Sequence, residues 1–134
     1  MDSQESANTA IVVANNDETV LQAVTSTLEK AGFAVTGAAN AAVALERCGQ
    51  GEPAPTLAVI DTTVPGMDWR DLARKLSEKS PAIRLLFLSA EPSSEALPAP
   101  DFHGHSRLLR KPFRRSQLLG QVLEMMDEPL VMTA

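Results

Sequence analysis

Four places in this chain carry side chains able to attack or hold a charged group, and each follows directly on a short strand-like run. Asn15 and Asn16 follow Ala10-Ile11-Val12-Val13-Ala14, Asp61 follows Leu57-Ala58-Val59-Ile60, Ser89 follows Ile83–Leu88, and Lys111 follows Arg107–Arg110. A carboxylate such as Asp61 can act as a nucleophile in covalent catalysis. A lysine ammonium pairs with an oxyanion as a point charge, and a serine hydroxyl can donate to a second oxygen. Asparagine carbonyls ligate hard cations but bring no charge to them. These residue types act together only if the runs that precede them lie side by side.

The pattern between the runs supplies that condition. Val20, Leu21, Val24 and Leu28 recur on one helix face, and Gly32 stops the helix. Phe33-Ala34-Val35-Thr36 reads as a second strand, and Asn40 caps a helix carrying Val43 and Leu45 that runs out near Cys48-Gly49. Gly51–Thr56, with Pro53 and Pro55, reads as a loop. Leu57–Ile60 is apolar without alternation, as a central parallel strand covered on both faces must be. After Pro65-Gly66, Asp68 caps a third helix with Leu72 and Leu76 inward, closed by Ser80-Pro81. Ile83–Leu88 and Arg107–Arg110 are the fourth and fifth strands, and Ser116–Asp127 is the last helix. Between those strands Pro92, Pro98 and Pro100 leave room for little more than one turn near Ser93–Leu97, so the fourth helix is predicted to be short, irregular or absent. The alternation implies an α/β fold: a single-domain, doubly wound, five-stranded parallel sheet with helices on both faces. Ligands of such sheets gather beyond the carboxyl ends of the strands, where Asn15, Asn16, Asp61, Ser89 and Lys111 all fall.

Three stretches then give a resemblance. Val59-Ile60-Asp61-Thr62-Thr63-Val64-Pro65-Gly66-Met67-Asp68 is similar to the phosphorylation loop of the CheY-like receiver domains of two-component response regulators. Leu88-Ser89-Ala90 and Arg110-Lys111-Pro112-Phe113 resemble that family's two later signatures. The resemblance covers residues 9–127 as the receiver domain, leaving 1–8 as a disordered N-terminal tail and 128–134 as a C-terminal tail. It implies the strand order 2-1-3-4-5 of flavodoxin-like folds. It also implies a phosphoryl acceptor, not an enzyme in its own right, in which Asp61 takes the group from a histidine kinase or phosphotransfer protein. Lys111 and Ser89 would hold the new oxygens, and a cis Lys111-Pro112 peptide would aim the lysine inward. The broken fourth helix and the Leu109–Phe113 stretch resemble the receivers of hybrid histidine kinases, which implies a contact with a kinase domain.

The chain departs from the family where the metal belongs. Receivers carry two acidic residues after the first strand, which with the acceptor aspartate hold Mg²⁺; here those positions are Asn15 and Asn16. The implied ligands are Asp61, the Thr63 backbone carbonyl, Asn15 and Asn16. Two unit charges about 4 Å apart interact by ~4 kcal/mol at an effective dielectric near 20, so the resemblance implies a weak or lost Mg²⁺ site. Asp17 offers a carboxylate nearby but sits where it would cap the first helix. Leu108 replaces an aromatic residue that relays the acceptor's state outward, and Trp69 is either a partner anchor or packing at a helix start. The alternative function is therefore a phosphorylation-independent pseudo-receiver that acts as an interaction module.

Composition narrows the classes further. A chain of 134 residues that is 44% hydrophobic and 22% charged fits one domain with one core. Its net charge of −5, with both signs interspersed, gives no support for nucleic-acid or polybasic membrane binding. Arg107, Arg110, Arg114 and Arg115 read as a charged edge beside Lys111, and His103 and His105 lack a third ligand nearby. The single Cys48 and the polar start Met1–Ser6 predict a cytoplasmic setting, and the longest apolar runs fall far short of the ~20 residues that cross a bilayer. The loop after the first strand lacks a glycine-rich phosphate cradle, which argues against a nucleotide or flavin protein and for no organic cofactor. The last helix carries more apolar residues than one buried stripe needs, a surplus that would suit a homodimer or partner face.

Overall fold

The computed structural model describes residues 9–50, 54–90 and 106–127. The two expected tails, the irregular fourth helix, and His103 and His105 lie outside the described residues. Strand β1 (Ala10–Ala14) leads to α1 (Glu18–Lys30), β2 (Ala34–Ala38), α2 (Ala41–Gln50), β3 (Pro55–Asp61), α3 (Trp69–Lys79), β4 (Arg84–Ser89), β5 (Ser106–Arg110) and α4 (Arg115–Asp127). All five strands are parallel, in the order β2-β1-β3-β4-β5, as expected.

Chain reversals follow local chemistry. The Asp17 carboxylate accepts from the Thr19 and Val20 amides at 3.0 and 3.2 Å and starts α1. Asn40 Oδ1 accepts from Val43 N at 2.9 Å to start α2, and Asp68 Oδ1 from Arg70 N at 2.8 Å to start α3. Gly32, at φ 102°, ends α1 in the left-handed region that a side chain disfavours. Several boundaries move by a residue or two from expectation, and the shift with a chemical reason is at β3, which begins at Pro55, inside the predicted loop. Proline has no N–H to give a ladder and is tolerated as the first residue of a strand; the pairing with β1 shifts register between Ala10 and Ile11, skipping Thr56.

Because β1, β3 and β4 are covered on both faces, their side chains feed two cores. On one side Val12, Ala58, Ile60, Leu85 and Phe87 pack against Ala41 and Ala44 of α2 and Leu72 and Leu76 of α3. On the other, Ile11, Val13, Leu57, Val59, Leu86 and Leu88 pack against Val24 and Leu28 of α1 and Leu118, Val122 and Met125 of α4. Trp69 belongs to the first core at 9% exposure, edge-on to Phe87 with centroids 4.8 Å apart, and the Arg70 guanidinium lies 4.5 Å over its ring. Packing, rather than an exposed partner anchor, is its role. Among the described residues of α4 only Leu123 is a large exposed hydrophobe, at 48%, so most of the helix's apolar surplus is taken up by the core. No helix among the described residues is long and apolar enough to cross a membrane.

Candidate functional site

The carboxyl ends of β1, β3, β4 and β5 meet at Asp61, the last residue of β3 and only 1% exposed. Burying a carboxylate is expensive unless it is paired and hydrogen-bonded, and here both of its oxygens are engaged. Oδ2 forms an ion pair with Lys111 Nζ and accepts from Asn15 Nδ2 at 3.0 Å. Oδ1 accepts from the Thr63 amide at 2.8 Å and from the Thr63 hydroxyl at 2.6 Å.

Each partner is placed by the backbone around it. The Asn15 amide N–H donates to Ala38 O at 3.0 Å, extending the β1–β2 ladder by one residue. Its side chain is 1% exposed, and its Oδ1 accepts from Asp17 N at 2.9 Å. Thr62 N donates to Leu88 O at 3.0 Å, and Val64 N to Asp61 O at 3.0 Å, which turns the chain tightly after β3 and brings Thr63 back onto the carboxylate. Gly66, at φ 104°, and Pro65, whose carbonyl accepts from Ala41 N at 3.0 Å, tie that loop to the start of α2. Lys111 N donates to Ser89 O at 2.9 Å, so the ends of β4 and β5 are fastened together. Ser89 is fully buried, Lys111 keeps 29% of its side chain exposed, and the Lys111-Pro112 peptide is cis.

Of the residues singled out from the sequence, the structure therefore joins Asp61, Lys111, Asn15 and Thr63 through side-chain contacts and sets Ser89 against Lys111 through the backbone. Asn16 is exposed, and none of the described contacts links it to Asp61. Asp17 serves as the α1 cap instead of reaching into the site. The Thr63 side chain was the missed member, since only its carbonyl was expected to matter. An aspartate followed two residues later by a hydroxyl side chain is the signal, because that spacing lets both the amide and the hydroxyl turn back to the carboxylate.

A hard divalent cation of the Mg²⁺ kind needs several oxygen ligands, preferably anionic, in near-octahedral array. Asp61 has donors on both oxygens, Asn15 turns its nitrogen to Asp61 and its oxygen to a backbone amide, and Asn16 stands apart. A neutral Thr63 carbonyl does not replace two missing carboxylates. Among the described residues no group of three or more His, Cys, Asp or Glu side chains is arranged to hold a metal. The residues at this site do not fit Mg²⁺ in the arrangement they adopt.

Beside the site runs a groove of about 620 Å³ between α1 and α4, walled by Val20, Ala23, Val24, Phe113 and Leu118, with Lys111 at its head. No local pattern announces it, because it is made by two helices far apart in the chain.

A family model of the response regulator receiver domain matches residues 11–123. The chain belongs to that family. This receiver is 32% identical over 116 residues to the response regulator receiver protein CpdR of Brucella abortus (strain 2308), spanning 87% of this chain and 95% of that protein. The crystal structure of a response regulator receiver protein from Sinorhizobium medicae WSM419 superposes with a TM-score of 0.76 at 29% identity, covering 89% of this chain and 94% of that one. CheY in the CheX-CheY-BeF3-Mg²⁺ complex of Borrelia burgdorferi superposes with a TM-score of 0.79 over 90% of each chain; at 18% identity that likeness is one of fold. The receiver is thus a domain of response-regulator, two-component signalling.

Proposed function

We propose that this receiver accepts a phosphoryl group on Asp61 from a phosphohistidine of a histidine kinase or phosphotransfer protein, at a site that binds Mg²⁺ weakly or not at all. The observation that carries the reading is the buried Asp61–Lys111 ion pair, which holds an ionised carboxylate at the mouth of the sheet. In the transfer, an Asp61 oxygen forms the new O–P bond while the P–N bond to the donor imidazole breaks and the imidazole leaves, taking up a proton. The product is an acyl phosphate with roughly two negative charges and three acceptor oxygens. Lys111, close enough to pair with Asp61, takes one of those oxygens, and Ser89 offers its hydroxyl to another. Thr63 keeps the acceptor's remaining oxygen oriented. The donor protein docks on the α1–α4 groove, which leads to Lys111. On this reading the chain is a substrate of its partner and does not itself turn over an external substrate.

Intact-mass measurement after incubation with acetyl phosphate, and separately with a phosphohistidine protein, tests the proposal. A gain of one phosphoryl group that vanishes in Asp61→Asn is expected; no gain under any condition, with or without Mg²⁺, would overturn it. The second reading, a pseudo-receiver that binds its partner unmodified, is favoured by one observation: four donors already engage the Asp61 carboxylate, so an incoming phosphorus must displace at least one.

A further inference from the structure

We propose that Asn15 takes the place of the divalent cation at Asp61, its side-chain N–H supplying the positive charge that the carboxylate would otherwise draw from Mg²⁺. This role holds whether or not Asp61 ever accepts a phosphoryl group.

The orientation of the Asn15 amide is fixed from both sides. The Asp17 backbone N–H can only donate, so the group facing it at 2.9 Å is the side-chain oxygen. The Asp61 carboxylate can only accept, so the group facing it at 3.0 Å is the nitrogen. Flipping the amide would set oxygen against oxygen and N–H against N–H within a site that is 1% exposed on both residues. Asn15 therefore presents partial positive charge to Oδ2, on the side of the carboxylate where Lys111 also pairs.

Charge settles what else the site tolerates. One carboxylate and one ammonium balance, and the Thr63 amide and hydroxyl complete the carboxylate's hydrogen bonding. A dication would have to push aside the Asn15 N–H and approach Lys111 with a single carboxylate for compensation. An aspartate at position 15 inverts the arithmetic. Its carboxylate would keep the Asp17 N–H but set a second negative charge about where the amide nitrogen now lies, 3.0 Å from Asp61 Oδ2, with one lysine between two carboxylates. A cation then relieves a repulsion that wild type lacks.

Thermal unfolding of the whole chain in chelator and in millimolar Mg²⁺ separates these roles. Wild type is expected to unfold at the same temperature in both buffers. Asn15→Asp is expected to unfold several degrees lower than wild type in chelator, to recover in Mg²⁺, and to bind Mg²⁺ roughly tenfold or more tightly than wild type. Asn15→Ala loses stability without recovery, since it removes the donor and adds no charge. An Mg²⁺-dependent rise in wild type, or an Asn15→Asp protein that Mg²⁺ does not rescue, would overturn the proposal; the second result would leave Asn15 as packing only. Should Asn15→Asp fail to fold, the side-chain amide resonances of Asn15 in wild type decide. They are expected to stay in place as Mg²⁺ is added and to move in Asp61→Asn, and movement with Mg²⁺ would refute the substitution. None of these outcomes depends on the mass-gain experiment, so the two readings fail separately.

Discussion

Asp61 is 1% exposed while Lys111 keeps 29% of its side chain in solvent, and that asymmetry decides which half of the pair is costly to lose. Removing the lysine charge strands a buried carboxylate with only neutral donors around it. Removing the carboxylate charge leaves an ammonium that can swing toward water. Lys111→Met is therefore expected to lower unfolding stability by about 3 kcal/mol and Asp61→Asn by less than about 1 kcal/mol, read from urea midpoints at neutral pH. Equal losses would mean that the pair is far more hydrated than its burial indicates. The placing of Asp61 and Lys111 together at the carboxyl ends of strands was legible in the sequence because each follows a strand-like run. The side-chain network around them was less so. Asn15 and Asn16 are alike as letters, and only the turn that points Asp17 N–H at Asn15 separates a buried donor from an exposed neighbour. Likewise Trp69 is compatible in sequence with a surface anchor, and its burial against Phe87 depends on a strand eighteen residues further on.

Elements were the most readable level, since caps, stops and periodicity are local. Asp17, Asn40 and Asp68 each start a helix through a side-chain oxygen within a few residues of themselves. What was lost at this level is where pairing overrides composition: Pro55 joins β3 although it reads as loop, because β1 supplies a register in which its missing N–H costs nothing. Two glycines make opposite predictions about the elements they serve. Gly66 sits at φ 104° in the loop that carries Thr63, and an added Cβ would meet Ala41 atoms only at an ordinary 3.5 Å, so the cost of Gly66→Ala is backbone strain alone, about 1–2 kcal/mol. Gly120 lies inside α4 at a helical φ with nothing within 4 Å of an added Cβ, so Gly120→Ala should raise stability by about 0.5–1 kcal/mol. Thermal midpoints of the two variants, moving in opposite directions, check both; a Gly66→Ala protein as stable as wild type would show that the loop relaxes to another conformation.

The whole molecule is three layers whose two cores share one sheet: Leu57 and Val59 of β3 point into the core under α1 and α4, while Ala58 and Ile60 between them point into the core under α2 and α3. No apolar contact needs to cross the sheet for the cores to be coupled, because a strand that loses its order on one face loses it on the other. Trp69, the only tryptophan, stands in the α2–α3 core and reports on that side alone. Leu28 is fully buried in the opposite core, and Leu28→Ala should cost about 3 kcal/mol through lost burial and an unfilled space. If the shared strands make folding all-or-none, the Trp69 fluorescence transition of Leu28→Ala in urea shifts as far as the far-ultraviolet circular-dichroism transition, and the two curves coincide, as is expected for wild type also. A fluorescence midpoint that stays at its wild-type position while the circular-dichroism midpoint falls would mean that the layers unfold independently. In that case the Asp61 site, which draws Asn15 from just after β1, Thr63 from the loop after β3 and Lys111 from just after β5, would lose its geometry before the α2–α3 core melts.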